Sequence, residues 1–113
     1  MKIKHGMILA AGLGKRMQPL TLKTPKPLLE INNYTLLKNL RVLTEITENI
    51  LVGISRKSMI GSLLNKSVND RLEGSLAATV LSIINCAKII RTHDVRETKI
   101  AALIAQEFIG INK

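Results

Sequence analysis

Aromatic residues are almost missing: the 113-residue chain has one Phe, one Tyr and no Trp. Any core must therefore come from Ile, Leu, Val, Ala and Met, and no platform of rings exists for stacking bases. Cysteine is down to Cys86 alone. One thiol excludes an internal disulfide and a cysteine zinc site, which fits a reducing, cytoplasmic setting. Within LSIINCAKII it reads as a buried, inert side chain. No apolar run approaches the roughly 20 residues a membrane helix needs, so no span is expected. The opening MKIKHGMILAAGLG is basic and then apolar. Gly12 and Gly14 break that run and Lys15 and Arg16 follow at once, so it does not read as a secretory leader.

Acidic residues are also scarce, 8 against 17 Lys and Arg, giving a net charge of +9 and a pI near 10.1. Such a balance invites a nucleic-acid reading. Against it, no basic block is longer than two residues, and the positive charge sits in short loop motifs suited to phosphate or small anions. No nucleic-acid partner is expected. The apolar share of 46% is that of a globular chain rather than a disordered one.

Residues 7–10 (MILA) read as a buried strand running into a glycine loop. Pro19, Pro25 and Pro27 then forbid a regular helix. Thr35 is placed to cap a helix over 35–48, with Leu36, Leu40 and Leu43 on one face. Residues 50–54 (ILVGI) are a second buried strand, followed by a polar loop around 66–70. Residues 74–87 read as a helix opened by Gly74 and Ser75, 88–91 (KIIR) as a third strand, and 95–109 as a closing amphipathic helix before a frayed tail. From residue 35 onward the order is helix, strand, helix, strand, helix. That alternation predicts parallel α/β architecture.

At the N-terminus the first strand delivers a backbone loop, Gly12-Leu13-Gly14, bare of bulky side chains. Phosphates can approach such N–H groups, with Lys15, Arg16 and Lys26 adding positive charge. A lone G-x-G equally suits a tight turn, and the G-K-[ST] ending of a P-loop is missing. The whole string from 8 to 31, ILAAGLGKRMQPLTLKTPKPLLEI, resembles the signature of nucleotidyltransferases that make nucleotide-sugars, LAAGxGxRMxPLTxxxPKPLLxI. The resemblance implies a nucleotide-binding α/β fold in which Ala11, Gly12, Leu13 and Gly14 hold the nucleotide. Arg16 and Lys26 would stabilise the triphosphate and departing pyrophosphate. The later metal-binding carboxylates of that family have no counterpart among this chain's acids. Mg2+ would therefore enter only with parts supplied by a partner.

Further on, Ser55-Arg56-Lys57 follows one buried strand, and Arg91 and His93 follow the next. In parallel α/β proteins sites are built at those strand ends. Arg56, Lys57, Arg91 and His93 on one rim suit an anionic leaving group. Singly, Arg56 and Lys57 also read as solvated loop charges, and His93 with Asp94 as a cap for the last helix. No His or Cys lies at metal-ligand spacing from His93, so no metal site is predicted.

GISRKSMIG, RLEGSLAA and IIRTHDVRET resemble, in order and spacing, the last quarter of dihydropteroate synthase, a (β/α)8 barrel of folate biosynthesis. The resemblance runs from about Leu36 to about Thr98. It implies that Lys57 hydrogen-bonds a pterin ring, that Ser55 and Arg56 border the pterin and aminobenzoate pockets, and that Arg91 and His93 hold a diphosphate. Thr92 stands where that family usually has Val, and Cys86 where Gly is common.

The expected organisation is thus a nucleotidyltransferase-like fragment over 1–31, a junction at 32–35, and the last two β/α units of the barrel over 36–113. A complete barrel takes roughly 200 residues or more. The expected function is that of an incomplete pterin-binding fragment, a fusion remnant without catalysis of its own. Two alternatives are a split-enzyme subunit completed by a complementary barrel fragment, or by self-association, and an anion- or nucleotide-binding module. Whether the N-terminal strand pairs with the two barrel strands is left open by the sequence.

Overall fold

A computed structural model describes residues 3–9, 30–31, 34–35 and 39–111. The strands are β1 (Ile3–Leu9), β2 (Glu30–Ile31), β3 (Tyr34–Thr35), β4 (Thr47–Gly53) and β5 (Ile89–Ile90). The helices are α1 (Ser58–Leu64), α2 (Leu72–Ile84) and α3 (Val95–Ile111), with 3-10 turns at Leu40–Glu45 and Val68–Asp70. β1, β4 and β5 form one parallel sheet with β4 in the middle. The N-terminal strand therefore joins the sheet of the later two by pairing with β4, from Ile3 opposite Thr47 to Leu9 opposite Gly53.

β4 is the centre of the core because it is apolar and β-branched where it must be. Ile50, Val52 and Ile54 are fully or almost fully buried, and with Leu40 and Ala87 they form the main cluster. Leu43, Ala78 and Ile90 pack against it. α2 turns an unexpected face inward: Ser75, Thr79 and Ser82 are its buried residues, while Leu81 is 61% exposed. Small hydroxyl residues at helical spacing give a thin contact stripe. Two of them satisfy themselves internally, Ser75 Oγ donating to Arg71 O at 2.6 Å and Ser82 Oγ to Ala78 O at 2.7 Å. α1 seats on α2 at Gly74, where a Cβ would lie 2.5 Å from Ile60 Cγ2 and 2.8 Å from Leu64 Cδ1.

The helix expected over 35–48 is not formed. Thr35 lies in β3, paired with Glu30, and the only helical turn among the described residues of that stretch is the 3-10 segment Leu40–Glu45. Val42, Thr44, Ile46 and Thr47 are β-branched and poor α-formers. The sheet claims Thr47 onward, so β4 starts before residue 50. α1 occupies a stretch to which the sequence reading assigns no element. α2 begins at Leu72, with Gly74 inside its first turn rather than at its cap. α3 matches the expected start and continues through Gly110 to Ile111, beyond the frayed end expected there.

Apolar side chains remain open to solvent along α3, where Ile100, Leu103, Ile104 and Phe108 are each more than half exposed. No helix among the described residues is long and apolar enough to cross a membrane.

Candidate functional site

Parallel pairing brings the C-terminal ends of the strands to one edge of the sheet. There, β4 passes into a turn closed by Lys57 N donating to Ile54 O at 3.2 Å. The third residue of that turn, Arg56, has φ of 55°, in the left-handed region. β5 is set alongside by Lys88 N donating to Ile50 O at 3.0 Å and Arg91 N to Val52 O at 2.9 Å. Arg91 is thereby fixed at the end of its strand, next to Gly53.

Between the two strand ends lies a cleft of about 150 Å³, lined by Gly53, Ser55, Lys57, Arg91, Thr92 and His93. Three of these are Lys, Arg or His and none is acidic. Ser55, almost fully buried, joins the turns: its Oγ accepts from His93 N at 3.2 Å and lies 3.1 Å from His93 Nδ1. Thr92 Oγ1 accepts from Asp94 N at 3.2 Å and shares a hydrogen bond with Thr98 Oγ1 at 2.9 Å. The Thr92 hydroxyl thus ties the β5 end to the first turn of α3.

Of the residues expected on this rim, Ser55, Lys57, Arg91 and His93 come together around the cleft, and Arg56 does not line it. Its guanidinium turns to Asp94, with Nε donating to Oδ2 at 3.1 Å and Nη2 paired with Oδ1. The hydrogen bond from Arg56 holds the Asp94 carboxyl below the usual carboxylate range, and the same bond raises Arg56 further. Arg56 is also held by its backbone: its N–H donates to Ser75 Oγ at 2.9 Å, and its carbonyl accepts from Arg71 Nη1 at 3.1 Å.

Sequence reasoning did not find the parts played by Asp94, Ser75 and Arg71 in holding this turn. The Asp directly after the strand-end His was the available signal for Asp94. No comparable signal marked the other two. Ala11, Gly12, Leu13, Gly14, Arg16 and Lys26 lie outside the described residues. Among the described residues, no group of three or more His, Cys, Asp or Glu is placed to hold a metal ion.

At about 150 Å³ the cleft is below the roughly 300–1,000 Å³ of a site that encloses a small molecule. It suits one anionic group, with neighbouring surface needed for the remainder of a larger ligand.

Comparison with known proteins gives the family of the chain. A family model described as "Pterin binding enzyme" matches residues 24–93. The dihydropteroate synthase of Escherichia coli K12 is 51% identical over 67 residues, 59% of this chain and 24% of that protein. That of Neisseria meningitidis serogroup C is 42% identical over 83 residues, 72% of this chain and 29% of its own length. The structure of a Coxiella burnetii dihydropteroate synthase in complex with pteroic acid superposes with a TM-score of 0.64 at 46% identity, over 67% of this chain and 28% of that one. The chain spans about a quarter of the length of these relatives. Over the matched residues its α/β fold is accordingly a fragment of their barrel fold. The chain belongs to the pterin binding enzyme family.

Proposed function

We propose that this chain is a partial dihydropteroate synthase that retains the diphosphate side of the pterin site and lacks catalysis of its own. The observation that carries the reading is the acid-free cleft where Lys57, Arg91 and His93 meet at the strand ends. In the reaction of that family, the amine of p-aminobenzoate attacks the pterin methylene carbon. The bond from that carbon to the diphosphate oxygen breaks, its electron pair leaves with the diphosphate, and the amine gives up a proton. Cations fixed at a strand terminus stabilise the charge that develops on the leaving group. In this chain Lys57, Arg91 and His93 are the cations that bind the diphosphate, Lys57 also facing the pterin ring, with Ser55 orienting His93. Strands that would read the pterin ring are not encoded in these 113 residues.

Calorimetric titration of the full chain with pterin pyrophosphate and with inorganic pyrophosphate tests the binding claim. Both should bind, and Lys57→Ala and Arg91→Ala should each weaken them about tenfold or more. No heat with either ligand overturns it. In an assay with p-aminobenzoate the chain alone should form no dihydropteroate, and turnover would overturn the claim of lost catalysis.

In this reading residues 1–31 are the nucleotidyltransferase-like piece, joined at 32–35, and the chain is a fusion remnant. The family match itself begins at residue 24, upstream of that junction. Any nucleotide site would rest on Ala11, Gly12, Leu13, Gly14, Arg16 and Lys26, tested by titration with a nucleoside triphosphate.

One observation favours a second reading, a subunit of a split enzyme. A groove of about 840 Å³ runs between β5 and α3, lined by Ile83, Ile90, Val95, Ala102 and Ile109 among others. This is the side on which a barrel would continue past its last strand. Co-expression with a fragment carrying the missing strands should then yield a complex, and its absence on purification overturns this reading.

A further inference from the structure

We infer that Arg56 and Asp94 form a positioning clamp for the cleft: the pair fixes the spacing of the two strand-end turns and keeps the Arg56 charge out of the cleft. The inference rests on reading the cleft as an anion site. It differs from the role that resemblance gives Arg56, which is to border the ligand pockets.

Arg56 is held more completely than a solvated loop charge requires. Its backbone sits at φ 55°, a region disfavoured for a side chain of this kind. Conformations of that sort persist where surrounding contacts over-determine them. Here Ser75 of α2 accepts its N–H, and Arg71 caps its carbonyl. Arg71 can lie there because Gly61 has no Cβ, which would collide with its guanidinium. The left-handed turn then aims the Arg56 side chain away from the cleft and across to Asp94, 38 residues on. The neighbouring bridge, from Ser55 to His93, also spans 38 residues. Two adjacent bridges thus tie the same two turns. The residues flanking them, Lys57 on one side and Arg91 with Thr92 on the other, line the cleft. A planar guanidinium meeting a carboxylate through two hydrogen bonds specifies direction as well as distance. The Arg56 side chain is 42% exposed, so the pair is better suited to setting geometry than to holding the fold together.

A charge argument and a positioning argument predict opposite signs for one substitution. Asp94→Asn removes a negative charge beside a proposed anion site, and by Coulomb attraction alone it tightens anion binding. If the pair sets the cleft, Asp94→Asn weakens inorganic pyrophosphate binding at least about fivefold. Arg56→Lys, which keeps the charge and loses the fork, weakens it likewise. Asp94→Glu recovers part of the loss. Unchanged or tighter binding by Asp94→Asn in calorimetry overturns the clamp.

If the unsubstituted chain binds no pyrophosphate, the anion reading fails. The clamp is then judged on the ligand-free chain by NMR. Asp94→Asn should speed hydrogen exchange at the His93 amide and shift the His93 ring signals, with α3 amides beyond its first turn unchanged. Identical His93 signals in both proteins overturn it.

Discussion

The Ser55 hydroxyl accepts the His93 amide hydrogen at 3.2 Å and lies 3.1 Å from Nδ1 of the same residue. One buried oxygen thereby fixes both the backbone and the ring of a residue that is itself exposed. The ring is oriented by the turn after β4, although it is carried by the segment after β5.

Ser55→Ala removes that anchor. Loss of the hydrogen bond to His93 N–H should cost about 1 kcal/mol of stability. The larger effect should be on binding, with pyrophosphate affinity falling severalfold as the ring loses its orientation. Thermal melts and calorimetry on the same preparation separate the two. Unchanged affinity would show that His93 orientation is not set by Ser55.

Acid should act through Asp94. Hydrogen bonding from Arg56 depresses its carboxyl in the folded chain. The contribution is therefore fully present above the unfolded value, near 4, and is lost as pH falls through the lower folded value. Melting midpoints of the natural chain and Asp94→Asn should differ at pH 6 and converge on acidification below about pH 4. A gap independent of pH would contradict the pairing.

Cys86→Gly should stabilise. α2 ends in a Schellman arrangement, with Ala87 N donating to Ser82 O at 2.9 Å and Cys86 N to Ile83 O at 3.0 Å. Cys86 occupies the left-handed position of that motif at φ 78°. Relief of the steric penalty, less the entropy of an added glycine, leaves a gain of about 0.5–1 kcal/mol. Cys86→Val should instead destabilise by about 1 kcal/mol or more. Chemical denaturation measures both, and a loss on Cys86→Gly would refute the strain.

Gly74→Ala sets two effects against each other. Helix propensity favours alanine by about 1 kcal/mol. The new Cβ, however, would meet Ile60 Cγ2 at 2.5 Å, and Ile60 is only 3% exposed. Overpacking of a branched, buried side chain costs about 1–3 kcal/mol, so the variant should be less stable by about 1 kcal/mol. Greater stability would mean that α1 does not seat on α2 as described.

The elements legible in the sequence were those whose signals are local. The run around Ile50 and Val52, the pair Ile89–Ile90 and the periodicity from Val95 onward each state their structure within a few residues. α1 escaped because seven residues containing Gly61 carry little periodicity, and its end is marked only by Asn65, at φ 52°. α2 was found, but its inward face was not, because Ser75, Thr79 and Ser82 are buried through contacts with other elements. The convergence of Ser55, Lys57, Arg91 and His93 followed from strand ends in parallel register. The turning of Arg56 onto Asp94 did not, since it depends on the backbone angle of one residue and on partners 15, 19 and 38 positions away.

The central strand has a consequence for how the molecule comes into being. β4 bonds backward to Ile3–Leu9 and forward to Ile89–Ile90, so neither of its neighbours is close in sequence. Closing such distant pairings costs chain entropy before any contact repays it, and topologies of this kind fold slowly. The sheet cannot be complete until residue 90 has been made. A backbone cut in either connection, before Thr47 or after Gly53, turns the last step of assembly into an encounter between two molecules, and its rate then depends on concentration.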